Sequence, residues 1–169
     1  MRRVLGVLVL CLLFGCVTTD QQDYRLLKYR IGAEVEHLPL AELYRLSPDQ
    51  VRQHVELCEQ LGGTGCGYES VINDIRYDFS RDNDEMIFVK VIFDGGLEGE
   101  VCLSEIKLLD SESNTLEARK VRLKCAPQAS SLNSALLAGF LVNELPAGEI
   151  LIVHYVNGKE LFRKSIEIT

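Results

Sequence analysis

The spacing of hydrophobic positions changes character several times along this chain. Val4 to Phe14 is apolar throughout apart from Gly6. At eleven residues the run is too short to cross a bilayer, which takes about twenty. Residues 24–37 are ambiguous: Tyr24, Leu27, Ile31 and Val35 fall at helical spacing, but Gly32 interrupts them. Leu40 to Leu46, after Pro39, has the length of a short helix. Residues 46–62 carry the strongest local signal of the first half. Ser47 can cap a helix, Pro48 suits its first position, and Gln50 completes a capping box. Leu46 and Val51 stand at the two positions of a hydrophobic staple, and Val51, Val55, Cys58 and Leu61 form one stripe. Gly62-Gly63 ends the element. So short a helical pair cannot stand alone, and its stripe is expected to dock on the rest of the protein.

From about residue 70 the period shortens to two. Ile75, Tyr77 and Phe79 alternate with Arg76, Asp78 and Ser80, as in a half-buried strand. Met86 to Phe93 is a largely apolar run suited to a central strand, broken by Asp94-Gly95-Gly96. Residues 99–109 and 115–125 make two strands around the turn Asp110–Asn114. Ala129 to Ala138 reads as a small helix capped by Ser130 or Ser131, with a short strand at Phe140–Val142. Glu149–Val156 and Lys159–Ile168 flank Asn157-Gly158, a strong type I′ hairpin signal. Few connections are long enough to hold a crossover helix, so the strands should be antiparallel. The expected fold is mainly β: an antiparallel two-sheet β-sandwich preceded by a short helical segment.

The N-terminal pattern carries a resemblance. Arg2 and Arg3 precede the apolar run, and Leu13-Phe14-Gly15-Cys16 closes it. Charge, short apolar stretch and small residue describe a secretory signal, and the last four residues resemble the lipobox of bacterial lipoproteins. The resemblance implies cleavage before Cys16, diacylglycerol on its sulfur, and commonly a further acyl chain on the freed amine. Two or three chains give a stable anchor where one gives marginal binding. Val17, in place of an aspartate, implies the outer membrane if the host is Gram-negative. An ordinary signal cut elsewhere is the competing reading. The resulting division is a signal at 1–15, a lipidated tether and ambiguous segment at 16–37, a helical segment at 38–65 and a β-sandwich at 66–169. A second resemblance lies near the C-terminus. Leu145-Pro146-Ala147-Gly148-Glu149-Ile150, followed by the alternating strand into Tyr155-Val156-Asn157-Gly158-Lys159, is similar to the closing strands of bacterial immunoglobulin-like and fibronectin-like domains. It implies the sandwich fold, and a role in binding or spacing other molecules.

Charge excludes one class of partner. The 169 residues hold 18 basic and 25 acidic side chains, a formal charge of −7, and loss of the signal removes two arginines more. Nucleic acid, whose affinity comes mainly from phosphate neutralisation, is not an expected partner. Four cysteines remain beyond Cys11 and Cys16: Cys58, Cys66, Cys102 and Cys125. In an exported chain they suggest disulfides, with three pairings open. Cys58–Cys66 would tie a helix end to the loop behind it, and Cys102–Cys125 would join neighbouring strands. Zinc is the weaker reading, since no C-x₂₋₄-C pair exists and His37, His54 and His154 are dispersed.

Candidate chemistry is sparse. The sequence has no G-x-S-x-G, no H-E-x-x-H and no phosphate loop, and Gly62-Gly63-Thr64-Gly65 follows a helix rather than a strand. Asp78, Asp82, Asp84 and Glu85 crowd one turn and could hold Ca²⁺, against the plainer reading of a solvated acidic turn. Lys120, Arg122 and Lys124 share one strand face: a grip for an acidic partner, or a guard against edge-to-edge aggregation. Neither a cofactor nor catalysis is expected. The leading expectation is a membrane-anchored module that binds a protein partner in the cell envelope. Glycan or small-ligand binding is the alternative, and an envelope hydrolase the least favoured reading.

Overall fold

Alternation builds most of the molecule, because successive side chains of a strand point to opposite faces. The computed structural model describes residues 25–60, 62–83, 85–94, 101–124 and 134–169. Among the described residues ten strands run as β1 (Arg25–Gly32), β2 (Val35–Pro39), β3 (Tyr68–Ile72), β4 (Asp78–Phe79), β5 (Met86–Asp94), β6 (Val101–Leu109), β7 (Thr115–Lys124), β8 (Ser134–Leu141), β9 (Gly148–Val156) and β10 (Lys159–Ile168). Two helices, α1 (Leu40–Tyr44) and α2 (Pro48–Gln60), lie between β2 and β3.

Strands β1-β5-β8 form one sheet and β4-β10-β9-β6-β7 the other, while β2 and β3 pair separately. Pairing is antiparallel except for β4, which lies parallel to β10. In immunoglobulin lettering, β1, β5 and β8 occupy strands A, B and E, and β10, β9, β6 and β7 occupy G, F, C and C′. The fold is therefore an immunoglobulin-like sandwich, as the sequence pattern leads one to expect. Ile87, Val89, Val91 and Phe93 of β5, with Leu136, Ala138 and Phe140 of β8, face Ile106 and Leu108 of β6 and Ile150, Ile152 and Val156 of β9 in one core. Asn157 (φ 47°) and Gly158 (φ 82°) make the expected hairpin turn. Asp110 organises the β6–β7 turn, its carboxylate accepting the N–H groups of Glu112 at 2.9 Å and Asn114 at 2.8 Å.

Several expectations are corrected. The segment 24–37, read as ambiguous with helical spacing, is strand from Arg25. A bulge between Leu26 and Lys28 shifts the alternation, so that Leu27 and Ile31 fall four apart without a helix. The sandwich accordingly begins at residue 25, not at 66. The helical segment 38–65 is not a lead-in: its helices are the closing loop of the β2–β3 ribbon, in which Val35 pairs with Ile72 and Pro39 with Tyr68. Residues 75–79 supply only the two-residue β4 and an isolated bridge from Ile75 to Gly32. Ser134 to Ala138, expected as the end of a helix, is strand, because pairing with β5 from Phe93 to Val89 overrides local helix preference. Its expected start, Ala129 to Ser131, lies outside the described residues.

The α2 helix shows the reciprocal cap: Ser47 N–H donates to Gln50 Oε1 at 2.8 Å, and Gln50 N–H to Ser47 Oγ at 3.4 Å. Its stripe is only half covered, and no residue of α2 is fully buried. A disulfide therefore carries more of its stability. Cys58–Cys66 is formed, and Gly63 passes so near it that a Cβ there would meet Cys58 Sγ at 2.5 Å. Closing this short loop contributes about 2–3 kcal/mol. The double variant Cys58→Ser/Cys66→Ser is expected to accelerate amide exchange across residues 50–60 while leaving that of β5, β6 and β9 unchanged, as hydrogen-exchange mass spectrometry would show. Uniform acceleration throughout the sandwich would contradict this separation.

Candidate functional site

The residues singled out by sequence scatter over the structure. Cys16 lies outside the described residues, as does Cys125. Cys102 is disulfide-bonded. Lys120, Arg122 and Lys124 follow one another along the edge strand β7, registered against Glu105, Leu103 and Val101. Lys120 Nζ lies 3.2 Å from Glu105 Oε1, and Lys107 shares that carboxylate at 3.6 Å. Lys120 is thus partly neutralised by its own sheet, and both it and Arg122 are exposed. Near the acidic turn, Arg76 holds Glu85 at 2.6 Å and Asp74 at 3.2 Å. The Arg76 hydrogen bond keeps the Glu85 carboxyl below its ordinary range. Among the described residues no three of His, Cys, Asp and Glu converge as metal ligands; Asp84 is not among them.

The histidines differ sharply. His37 Nδ1 is 3.0 Å from Ser70 Oγ at the exposed β2–β3 ribbon. His154 on β9 and Ser104 on β6 meet at 2.6 Å, both at 0% exposure. The rings of Phe93 and Phe162 lie 5.4 Å and 6.0 Å from the imidazole. Burial pushes its pKa down to about 4, so it is neutral at pH 7. Either Ser104 O–H donates to Nε2 or Nε2–H donates to Ser104 Oγ; both arrangements suit a neutral ring. A serine hydroxyl beside a histidine can act as a nucleophile only where a substrate reaches it. This pair is sealed inside the core, where the contact satisfies Ser104 Oγ and His154 Nε2 and leaves the buried Nδ1 without a hydrogen-bond partner among the described residues.

A cleft opens instead where the β2–β3 ribbon and α1 meet the outer face of β1 and β5. Its volume is about 230 Å³, and Lys28, Arg30, Tyr44, Glu69, Lys90 and Ile92 are among its lining. The β1–β5 register sets Arg30 directly opposite Lys90 and Lys28 opposite Ile92, so all four occupy one sheet face. Lys90 is the tie between the two units: its ammonium donates to the Glu69 carboxylate and, at 2.6 Å, to the Ser70 carbonyl. Tyr44 shares Glu69, and burial together with that carboxylate pushes its phenol pKa up. Lys28 and Arg30 have no such partner among the described residues. Across β5 the same sheet face continues on β8 as an apolar strip, where Leu137, opposite Lys90, and Leu141, opposite Met86, are 37% and 39% exposed. Met86 and Phe88 cover Gly139, where an added Cβ would lie 2.8 Å from Met86 Cε and 3.3 Å from Phe88 Cε1.

Sequence reasoning missed this cleft. Its one signal was Lys90, a lone cation in the apolar run from Met86 to Phe93. Lys28 and Arg30 carried none, since only strand register brings them to it.

No protein-family model matches the chain, and no curated protein matches it in sequence. Among solved structures it is similar to an immunoglobulin-like protein from Pseudomonas aeruginosa, with a TM-score of 0.40 and 13% identity, over 85% of this chain and 98% of that one.

Proposed function

We propose that this chain is a non-enzymatic, lipid-anchored protein of the cell envelope that holds a protein partner at the junction of its helical ribbon and three-stranded sheet. The observation that carries this reading is the composition of that junction. Two cations without an ion-pair partner among the described residues, and a half-exposed tyrosine, Tyr44, stand beside an apolar strip, and Arg and Tyr are favoured at protein interfaces. The cleft is smaller than the roughly 300–1,000 Å³ of ordinary small-molecule sites. It suits a single side chain of a larger partner better than a whole metabolite or glycan.

The anchor rests on the sequence: the short apolar run, Gly15 and Cys16. From Cys16 to Arg25 the chain can reach at most about 30 Å, so lipid on that cysteine would hold the sandwich close to the bilayer. Outer-membrane placement follows the residue after the lipidated cysteine, Val17, in a Gram-negative host. Cys16→Ser is the direct test. It should abolish lipid attachment and move the chain wholly from the detergent phase to the aqueous phase on phase partitioning. A variant that still matures and partitions like the parent sinks the anchor. Partner binding is tested separately in living cells, by placing a photo-crosslinking amino acid at Leu137 or, on the remote β6–β7 turn, at Glu112. A discrete adduct from Leu137 and none from Glu112 supports the reading. Equal behaviour at both positions overturns it.

A further inference from the structure

We infer that the cleft between α1 and the β1–β5 face is a receptor for a carboxylate side chain, so that the partner presents an acidic segment there; this rests on the protein-binding reading above.

Like charges placed directly opposite across two strands repel and destabilise the pair. Arg30 and Lys90 are such a pair, with Lys28 two residues along the same face. The protein answers half of this repulsion, since Glu69 and the Ser70 carbonyl take the Lys90 ammonium. It leaves the other half standing. Arg30 and Lys28 have no anion among the described residues, in a chain with 25 carboxylate side chains against 18 basic ones. Glu69, the carboxylate of this cleft, is already taken by Lys90, and neighbouring cations with no ion-pair partner of their own among the described residues form a local positive potential. Their position is concave and backed by Ile92, Leu43 and Tyr44. The apolar backing lowers the effective dielectric around an entering charge and strengthens its hydrogen bonds. A glutamate or aspartate combines what this shape asks for, a short aliphatic stem and a planar anion, and a guanidinium can take that anion with two parallel N–H donors.

A membrane headgroup is a poorer occupant. Binding to anionic lipid takes clusters of roughly four to eight cations on an accessible surface. Here only two cations without a partner among the described residues line the cleft, on a chain of net charge −7 that an anionic leaflet repels.

The test uses the full lipidated chain in micelles of a zwitterionic detergent, with backbone amide resonances as the readout. The probes are acetylated hexaglutamate, hexaglutamine, and vesicles of phosphatidylglycerol in phosphatidylcholine. Hexaglutamate is expected to shift the resonances of Lys28, Arg30, Tyr44 and Glu69 in a saturable way, and hexaglutamine to leave them in place. Arg30→Gln should weaken the peptide by about tenfold, the loss of one charge-assisted pair, whereas Lys120→Gln should leave it unchanged. Shifts centred on Lys120 and Arg122, or no shift at millimolar peptide, overturn the inference. So does Arg30-dependent binding to the vesicles without binding to the peptide. Failure here stays distinct from failure of the wider reading. If the Leu137 adduct persists in Arg30→Gln cells while hexaglutamate never binds, a partner docks on this face but is not held by a carboxylate.

Discussion

Replacing Gly32 with alanine is expected to destabilise the protein by about 3 kcal/mol, at the upper end of the cost of overpacking a well-filled site. Gly32 is the buried last residue of β1, registered against Phe88 and bridged to Ile75. A Cβ there would fall 2.0 Å from the Asp74 carbonyl oxygen and 2.3 Å from Ile72 Cγ2. Neither neighbour can give way cheaply. The Asp74 carbonyl accepts the Ala33 N–H at 3.0 Å, and Ile72 is buried where the ribbon joins the sandwich. The methyl group must therefore displace backbone. Urea unfolding should show the midpoint falling by roughly 1–3 M, given slopes of about 1–3 kcal/mol per M. Gly139→Ala supplies the contrast. There the nearest obstacle is the flexible end of Met86, and the cost should be clearly smaller. Equal costs at the two glycines, or a Gly32→Ala variant as stable as the parent, would show that the ribbon is not clamped to β1 as described.

Gly32 also shows where the sequence stopped being legible. In the chain it looks like a helix breaker within a doubtful helix. Its true constraint is the approach of Asp74, some forty residues later, which no local pattern encodes. The legible elements were those whose causes are local. The Ser47–Gln50 cap, the Asn157-Gly158 turn and the apolar, β-branched run of β9 each need only neighbouring residues. The bulge at Leu27 erased the period of β1. Ala135-Leu136-Leu137-Ala138 favours helix intrinsically and becomes strand through its partner β5. The cleft was hidden for the same reason. Its cations at 28, 30 and 90 meet through register, and Glu69 reaches Lys90 because the ribbon folds back on the sheet.

Acid should separate the parent from a His154→Gln variant through one buried titration. The folded pKa of His154 is pushed down to about 4, from an ordinary value of 6.5. The unfolded chain therefore takes up the proton first as pH falls. Above pH 6.5 the imidazole is neutral in both states and stability does not depend on it. Between 6.5 and 4 the unfolded state gains a proton that the native state refuses, and stability falls by up to 1.36 kcal/mol per pH unit. Below 4 both states are protonated and the loss levels off, at about 3 kcal/mol in total. Glutamine at this position can still hydrogen-bond Ser104 but does not titrate. Glu85, Asp110 and Glu160 also sit below their ordinary pKa values. They lose stabilisation on acidification in parent and variant alike, so the difference between the two isolates the histidine. Urea unfolding at pH 7, 5.5 and 4.5 should show the parent losing about 2–3 kcal/mol more than the variant by the lowest pH. Parallel losses would mean that the imidazole is protonated as easily in the native state as in water. The contact between Ser104 and His154 could then not be the closed, neutral pair that fills this part of the core.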